Sequence, residues 1–265
     1  MDFKNKVVWV TGASSGIGEA LVKQLAKREA LIVLSSRNKK ELERVKVEAG
    51  LNDSNSYILP LDLEDYHQVP KSVPLALKKW GRVDVLINNG GVSQRDLAEN
   101  SKIEVTEKLM NINFFGTVAL TMALYPHFKS RKSGVVAVVS SVAGKVGTRM
   151  RSSYCASKHA LHGYFDSLRA EAYHDGIQVT LMCPGFIKTK ISINALLGSG
   201  KSQGSMDDAQ ANGLDVDITA KKMLDAIAAG KDEVIISGIK ERFAAFLKRF
   251  APALLSRLLR NAKVT

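Results

Sequence analysis

Apolar residues in this chain come in short unbroken runs, separated by longer stretches where they recur every third or fourth position. The runs are "VVWVT" (7–11), "LIVLSS" (31–36), "YILPLD" (57–62), "VDVLINN" (83–89), "GVVAVVSS" (134–141), "IQVTLMCP" (177–184) and "EVIIS" (233–237). Stretches of helical length lie between them, near 16–29, 38–49, 65–80, 101–130, 153–175 and 216–230. Seven strand candidates separated by helices form a βαβ series. Near-continuous Val/Ile/Leu strands are those of a parallel sheet covered on both faces. The expected class is therefore α/β, a doubly wound parallel sheet of about seven strands with helices on both faces. Any ligand should sit at the carboxyl ends of the strands.

Two segments depart from this rhythm. "LLGSGKSQGSMDDAQANG" (196–213) is rich in Gly, Ser, Asn and Asp and too long for an ordinary connection, so a mobile substrate loop over about 190–215 is expected. After about residue 239, Phe243, Phe246, Leu247, Phe250, Leu254, Leu258 and Leu259 fall near helical spacing, with Pro252 expected to divide the segment into two short helices. No repeat or linker divides the chain, which reads as one domain over 1–265.

At 265 residues, 45% hydrophobic and 24% charged, the composition is that of an ordinary globular domain and excludes disordered and fibrous classes. Two cysteines, Cys155 and Cys183, are too few for a disulfide framework, and neither lies in metal-ligand spacing with a histidine. No metal is expected, and a reducing, cytoplasmic setting is the default. The first strand begins after six residues, so neither a signal peptide nor a membrane anchor is expected ahead of it. The net charge of +12 changes the picture only through its placement: seven Lys or Arg and one Glu lie from Lys240 to the end, half of the excess. A basic amphipathic segment over 239–263 could lie on an anionic membrane surface, or its apolar stripe could pack on the protein. No nucleic-acid partner is expected.

The chemistry concentrates at the strand ends. The first strand runs into "TGASSGIG" (11–18), a Gly-rich turn immediately before a helix. Such a turn lets the backbone approach a pyrophosphate held over free helix N–H groups. The second strand ends "LSSRN", with Ser36, Arg37 and Asn38 where a site for NAD would carry a carboxylate. A guanidinium there pairs with a 2′-phosphate, so NADP(H) is expected. In "SSYCASKHA" (152–160), Tyr154 and Lys158 stand four residues apart and share a helix face. By itself that spacing fits a solvated surface pair as well as a catalytic one.

Six ordered motifs decide between these readings. "TGASSGIG", "NNGG" (88–91), "NFFG" (113–116), "SSVAG" (140–144), "YCASK" (154–158) and "PGFIKT" (184–189) together resemble the short-chain dehydrogenase/reductase family, whose fold is Rossmann-like. Ser141 precedes Tyr154 by thirteen residues, as the family spacing requires. The resemblance implies a catalytic tetrad. Tyr154 would be the general acid or base and Lys158 would bind the nicotinamide ribose and depress the tyrosine pKa. Ser141 would hold the substrate oxygen, and Asn113 would support a water. It also implies cofactor contacts from Gly12, Ser14, Ser15, Gly16, Ile17, Gly18, Ser36, Arg37, Asn38, Asp62, Leu63, Asn88, Gly90, Gly91, Pro184, Gly185, Ile187 and Thr189. Gly90 departs from the alanine usual in the family. Ser15 stands where many NADP-using members carry Lys or Arg, which leaves Arg37 as the main phosphate ligand.

A narrower resemblance, carried by "LERVK", "RSSYCASKHA", "PGFIKTKISINAL" and "KRFAPALLSRLL", is to the branch containing the members called 7 and 7B. It implies a lipid-like ketone or alcohol, acyl-dihydroxyacetone phosphate among the candidates, and some peripheral membrane contact. Family members pair through long helices into homodimers or homotetramers. Lys145, Arg149 and Arg151, between Ser141 and Tyr154, could face the substrate mouth or form a solvated basic face. The expected activity is NADP(H)-dependent reduction of a ketone. A cofactor-binding regulatory protein without turnover is the reading from another class.

Overall fold

The computed structural model describes residues 1–260 and 262. Lys263, at the end of the expected basic segment, lies outside the described residues. Seven strands appear: β1 (Val7–Thr11), β2 (Leu31–Ser35), β3 (Ser56–Ile58), β4 (Val85–Asn88), β5 (Gly134–Val139), β6 (Ile177–Pro184) and β7 (Glu233–Ile236). They form one sheet in the order β3-β2-β1-β4-β5-β6-β7, every pair parallel. The chain crosses between the two halves of the sheet at β1 and β4. At such a crossing the loops leave in opposite directions and open a crevice at the carboxyl edge.

Strand alternation sorts the core into two layers. Val8, Val10, Ile32, Val85 and Ile87 face α1 (Gly16–Ala26), α2 (Lys39–Glu48) and α8 (Val216–Ala228). Trp9, Val33, Leu86, Val136 and Leu181 face α3 (Ser72–Trp80), α5 (Gly116–Arg131) and α6 (Ser152–Ala172). The doubly wound fold is thus what the uninterrupted apolar runs require.

Some element boundaries differ from those expected. In the run expected over 57–62 the strand ends at Ile58, although Leu59 and Leu61 still donate to Leu34 and Ser36; Pro60 falls between them, where an edge strand needs no N–H. The helix expected over 65–80 opens instead on a 3₁₀ turn, Val69–Lys71, that contains Pro70. The long stretch near 101–130 is α4 (Ile103–Met110), a π-helical turn at Asn111–Phe115, and then α5.

The segment over about 190–215, expected as a mobile substrate loop, has local structure of its own. It contains α7 (Asp208–Ala211), and its backbone bridges Gln94 to Leu196 and Ile187 to Leu214. Pro252 does divide the end of the chain, into α9 (Ile239–Phe250) and α10 (Pro252–Leu259). Leu247 and Leu255 pack on Val146, whereas most of the apolar stripe remains exposed.

Candidate active site

The carboxyl ends of β1, β2, β4, β5 and β6 open into a cleft of about 1530 Å³. That exceeds the roughly 300–1,000 Å³ of a pocket for one small ligand, leaving room for a dinucleotide beside a second molecule. Nearly all of the residues singled out in the sequence line it. On one side stand Gly12, Ser14, Ser15, Gly16, Ile17, Ser36, Arg37, Asn38, Asp62, Leu63, Gly90 and Gly91, and on the other Ser141, Tyr154, Lys158, Pro184, Gly185, Ile187 and Thr189.

Three do not reach the cleft wall, each for a visible reason. Gly18 lies behind the turn, where an added Cβ would stand 2.1 Å from the Gly12 carbonyl oxygen, so its absence lets α1 meet β1. Asn88 points to the opposite layer and donates to Thr121 Oγ1 at 3.0 Å. Its neighbour Asn89 faces the cleft instead, donating from Nδ2 to the carbonyls of Thr11 and Gly12 at 3.0 and 3.3 Å. The fully buried Asn113 amide is committed to the backbone of Val92 at 2.8 and 2.9 Å and to Ser157 Oγ at 2.9 Å. Any water it holds must therefore be bonded chiefly by its main chain.

The first turn of α1 carries no side-chain cap, which leaves its N–H groups for an anion. Gly90 has a local explanation too, because an added Cβ would meet Leu63 Cδ1 at 2.5 Å; here the leucine leans into the space. Asn38 caps α2 by accepting from Glu41 N at 3.2 Å. Arg44 is bound up with Glu19, Glu41 and Glu48, but Arg37 is exposed and forms no ion pair among the described residues.

The tetrad residues converge around α6. Gln94, fully buried, accepts from Ser153 N at 2.9 Å and so holds the helix start from which Tyr154 projects. Ser141 Oγ accepts from Ala143 N at 3.0 Å, donates to the Pro184 carbonyl at 3.4 Å, and lies close enough to the Tyr154 phenol to favour its ionised form. Burial holds that phenol above its ordinary pKa, opposed by the Ser141 hydroxyl and then by the Arg151 and Arg95 guanidinium groups. Lys158 Nζ donates to the Val139 carbonyl at 2.9 Å and lies 5.9 Å from the Tyr154 ring. Burial lowers its pKa to about 8. Besides the lysine expected from sequence, two arginine cations act on the phenol.

Those arginines belong to a cluster that sequence reasoning missed. Arg95, Arg151 and Asp207 are all almost fully buried; Asp207 Oδ2 is 2.6 Å from Arg95 Nε and 3.5 Å from Arg151 Nη2. Arg95 also donates to Ser93 Oγ and the Gln94 carbonyl, both at 2.6 Å. Of the three basic residues before Tyr154, Arg151 faces the cleft, Lys145 pairs with Glu233 at 2.5 Å and Arg149 is exposed. Gln210 on α7 donates to Thr189 Oγ1 at 3.3 Å and to the Ile187 carbonyl, so the same segment braces "PGFIKT".

His162 lies one turn beyond Lys158. Its Nε2 is 3.1 Å from Ser140 Oγ and 3.6 Å from Cys183 Sγ, and its buried Nδ1 makes no hydrogen bond among the described residues. Burial, then the Lys145 ammonium, lowers its pKa to about 4 from an ordinary 6.5. The folded state thus favours the neutral ring. Its contribution is complete above pH 6.5 and is lost as the pH falls towards 4, on the order of 3 kcal/mol in all. Urea midpoints should drop between pH 7 and 5, and His162→Phe should remove most of that drop; an unchanged slope would refute this.

Comparison with known proteins gives a consistent result. A sequence profile described as short chain dehydrogenase matches residues 6–197. The chain is 44% identical over 253 residues to the dehydrogenase/reductase SDR family protein 7-like of Anopheles gambiae, covering 94% of this chain and 80% of that one. It is 37% identical over 260 residues to dehydrogenase/reductase SDR family member 7B of Mus musculus, covering 97% and 80%. A solved short chain dehydrogenase/reductase from Burkholderia phymatum, in complex with NAD, has the same fold, with a TM-score of 0.85, 21% identity and 96% of each chain covered.

Proposed function

The chain belongs to the short-chain dehydrogenase family of oxidoreductases, and on that premise we propose that it is an NADP(H)-dependent reductase of a hydrophobic ketone. The convergence of Ser141, Tyr154 and Lys158 in one cleft with a Gly-rich helix entrance is the observation that carries this reading. The uncapped α1 terminus and the close Gly12–Gly18 approach fit a bound pyrophosphate. The free guanidinium of Arg37 fits a 2′-phosphate. A bound nicotinamide would supply the hydride, and the protein's share is position and a proton.

The Tyr154 hydroxyl gives its proton to the carbonyl oxygen as the carbonyl carbon becomes a secondary alcohol. The Ser141 hydroxyl holds that oxygen beside the phenol. The resulting phenolate recovers a proton from solvent by way of Lys158, while the Arg95 and Arg151 charges stabilise it. A regulatory protein without turnover has no need of this set. The domain is proposed to work as one unit, with the 190–215 segment admitting substrate. The outer faces of α5 and α6, where Met122 and Tyr173 are exposed beside and beyond them, are proposed to join copies into a dimer or tetramer.

The deciding experiment follows NADPH consumption by the purified protein over an acyl-dihydroxyacetone phosphate, a β-ketoacyl thioester, a steroid ketone and a small diketone. Turnover of one class is expected; NADPH binding with silence across the panel would favour the regulatory reading. Cofactor choice has its own test. Arg37→Ser should weaken NADPH about 10- to 100-fold, the worth of a charge-assisted hydrogen bond, and leave NADH nearly unchanged. Fluorescence titration measures both, and an unaltered NADPH/NADH ratio would remove Arg37 from the site.

A further inference from the structure

The C-terminal helices expose more apolar surface than the fold accounts for. Ile239 is 87% exposed, Phe250 70%, Phe243 and Phe246 each 56%, Leu258 54% and Leu254 49%. On α9 the spacing 239, 243, 246, 250 puts four of them along one helix face, with the rings of Phe246 and Phe250 4.7 Å apart. The adjoining stripe of the pair is already used, by Leu247 and Leu255 against Val146. These residues are therefore not a core left unfinished by a register error. They form a second, exposed stripe beside the packed one.

The surroundings of that face identify its partner. Lys240, Arg242, Lys248, Arg249, Arg257 and Arg260 are all exposed on the same two helices, and Glu241 is the one acidic residue among the described residues there. A symmetric pairing of two copies through this patch would bring the same cations face to face, which like-charge repulsion opposes. A soluble partner would need a large acidic and apolar surface at once. An anionic bilayer offers both as a matter of course: acyl chains for the aromatic and aliphatic side chains, and headgroups for the flanking cations. Among the described residues no helix is long and apolar enough to cross a membrane, so the mode is to lie in the interface rather than to span.

The patch is also continuous with the cleft. Phe243 and Leu258 belong to the exposed face and line the cleft, whose outer wall they form with Leu247 and Leu255. We propose that α9 and α10 dock on an anionic lipid surface, with their exposed apolar face in the interface, and that the cleft takes its substrate directly from that surface. Docking is independent of turnover; only the delivery of substrate rests on the reductase reading.

The test uses the full chain and vesicles of phosphatidylcholine with and without phosphatidylserine. Co-sedimentation with the anionic vesicles, weakened by salt, is expected. Lys248→Glu with Arg249→Glu should lower binding on the order of a hundredfold or more, as each cation near such a surface is worth about fivefold. Phe246→Ser with Phe250→Ser should abolish stable binding while leaving the thermal midpoint in solution nearly unchanged, since neither residue is buried. Wild-type protein that ignores anionic vesicles would overturn the proposal, as would variants that bind as well as wild type. Conversion of a dimer to a monomer by the phenylalanine variant, without vesicle binding, would overturn it in favour of self-association. Because binding is read without catalysis, its failure would leave the reductase reading standing.

Discussion

Tyr154→Phe is expected to lower turnover on the order of a thousandfold, within the range for losing a positioned general acid, while NADPH still binds. The substitution removes one hydroxyl and keeps the ring, which packs among Val105, Leu109, Ala143 and Leu196. A single hydroxyl hydrogen bond is worth about 1 kcal/mol, so its loss is too little to unfold the domain. Stopped-flow measurement of hydride transfer, paired with a cofactor titration, separates the two effects. Retention of more than about a tenth of the wild-type rate would mean that another group delivers the proton. A titratable alternative in the cleft is Lys158, whose lowered pKa of about 8 would make it able to release one near neutrality.

The second large effect is on stability. Asp207→Asn takes the carboxylate away from Arg95, which is only 4% exposed and has otherwise neutral partners in Ser93 and Gln94. Breaking a buried ion pair from one side usually costs about 3–5 kcal/mol, and here the loss should fall on the segment over the cleft. Asp207 starts α7, while the 93–95 backbone is bonded to Leu196, so both attachments of that segment weaken together. Differential scanning calorimetry and urea unfolding would register the loss. Arg95→Met combined with Asp207→Leu should recover part of it, because Arg95 is no longer a buried charge without its carboxylate, while Arg151 still loses Asp207. If the single variant loses less than about 1 kcal/mol, the cluster is better hydrated than its burial implies.

Residues legible in the sequence are those whose meaning is local. The strands announce themselves by unbroken Val and Ile, and Tyr154 and Lys158 by a spacing that one helix turn imposes. Pro70 shows how a proline at the start of a helical stretch favours a tight first turn, which moved the expected boundary. Asn88 is a sharper case. Alternation along β4 puts Leu86 in the α5 layer, so Asn88 must follow it there and Asn89 must face the cleft. The Arg95–Asp207 pair had no such signal, since its members stand 112 positions apart in chemically unremarkable loops. Gln94 is similar: only the folded chain shows that this neutral side chain fixes the start of α6. The irregular composition of 190–215 gave no sign of the short helix α7 or of the backbone bridges to Gln94 and Ile187.

The crossing between β1 and β4 also sets the order in which this protein can be made. As the chain leaves the ribosome, β1, β2 and β3 can pair as soon as residue 58 has emerged, yet the far side of β1 must wait for β4. Val7 finds its Asp84 partner 77 residues later. For that interval Val8, Trp9 and Val10 present a bare hydrophobic edge, the kind of template on which nascent chains associate. Non-local parallel pairing of this sort slows folding as well. Yield on expression should therefore be governed less by the stability of the finished molecule than by synthesis rate and chaperone supply while residues 58–88 are being added.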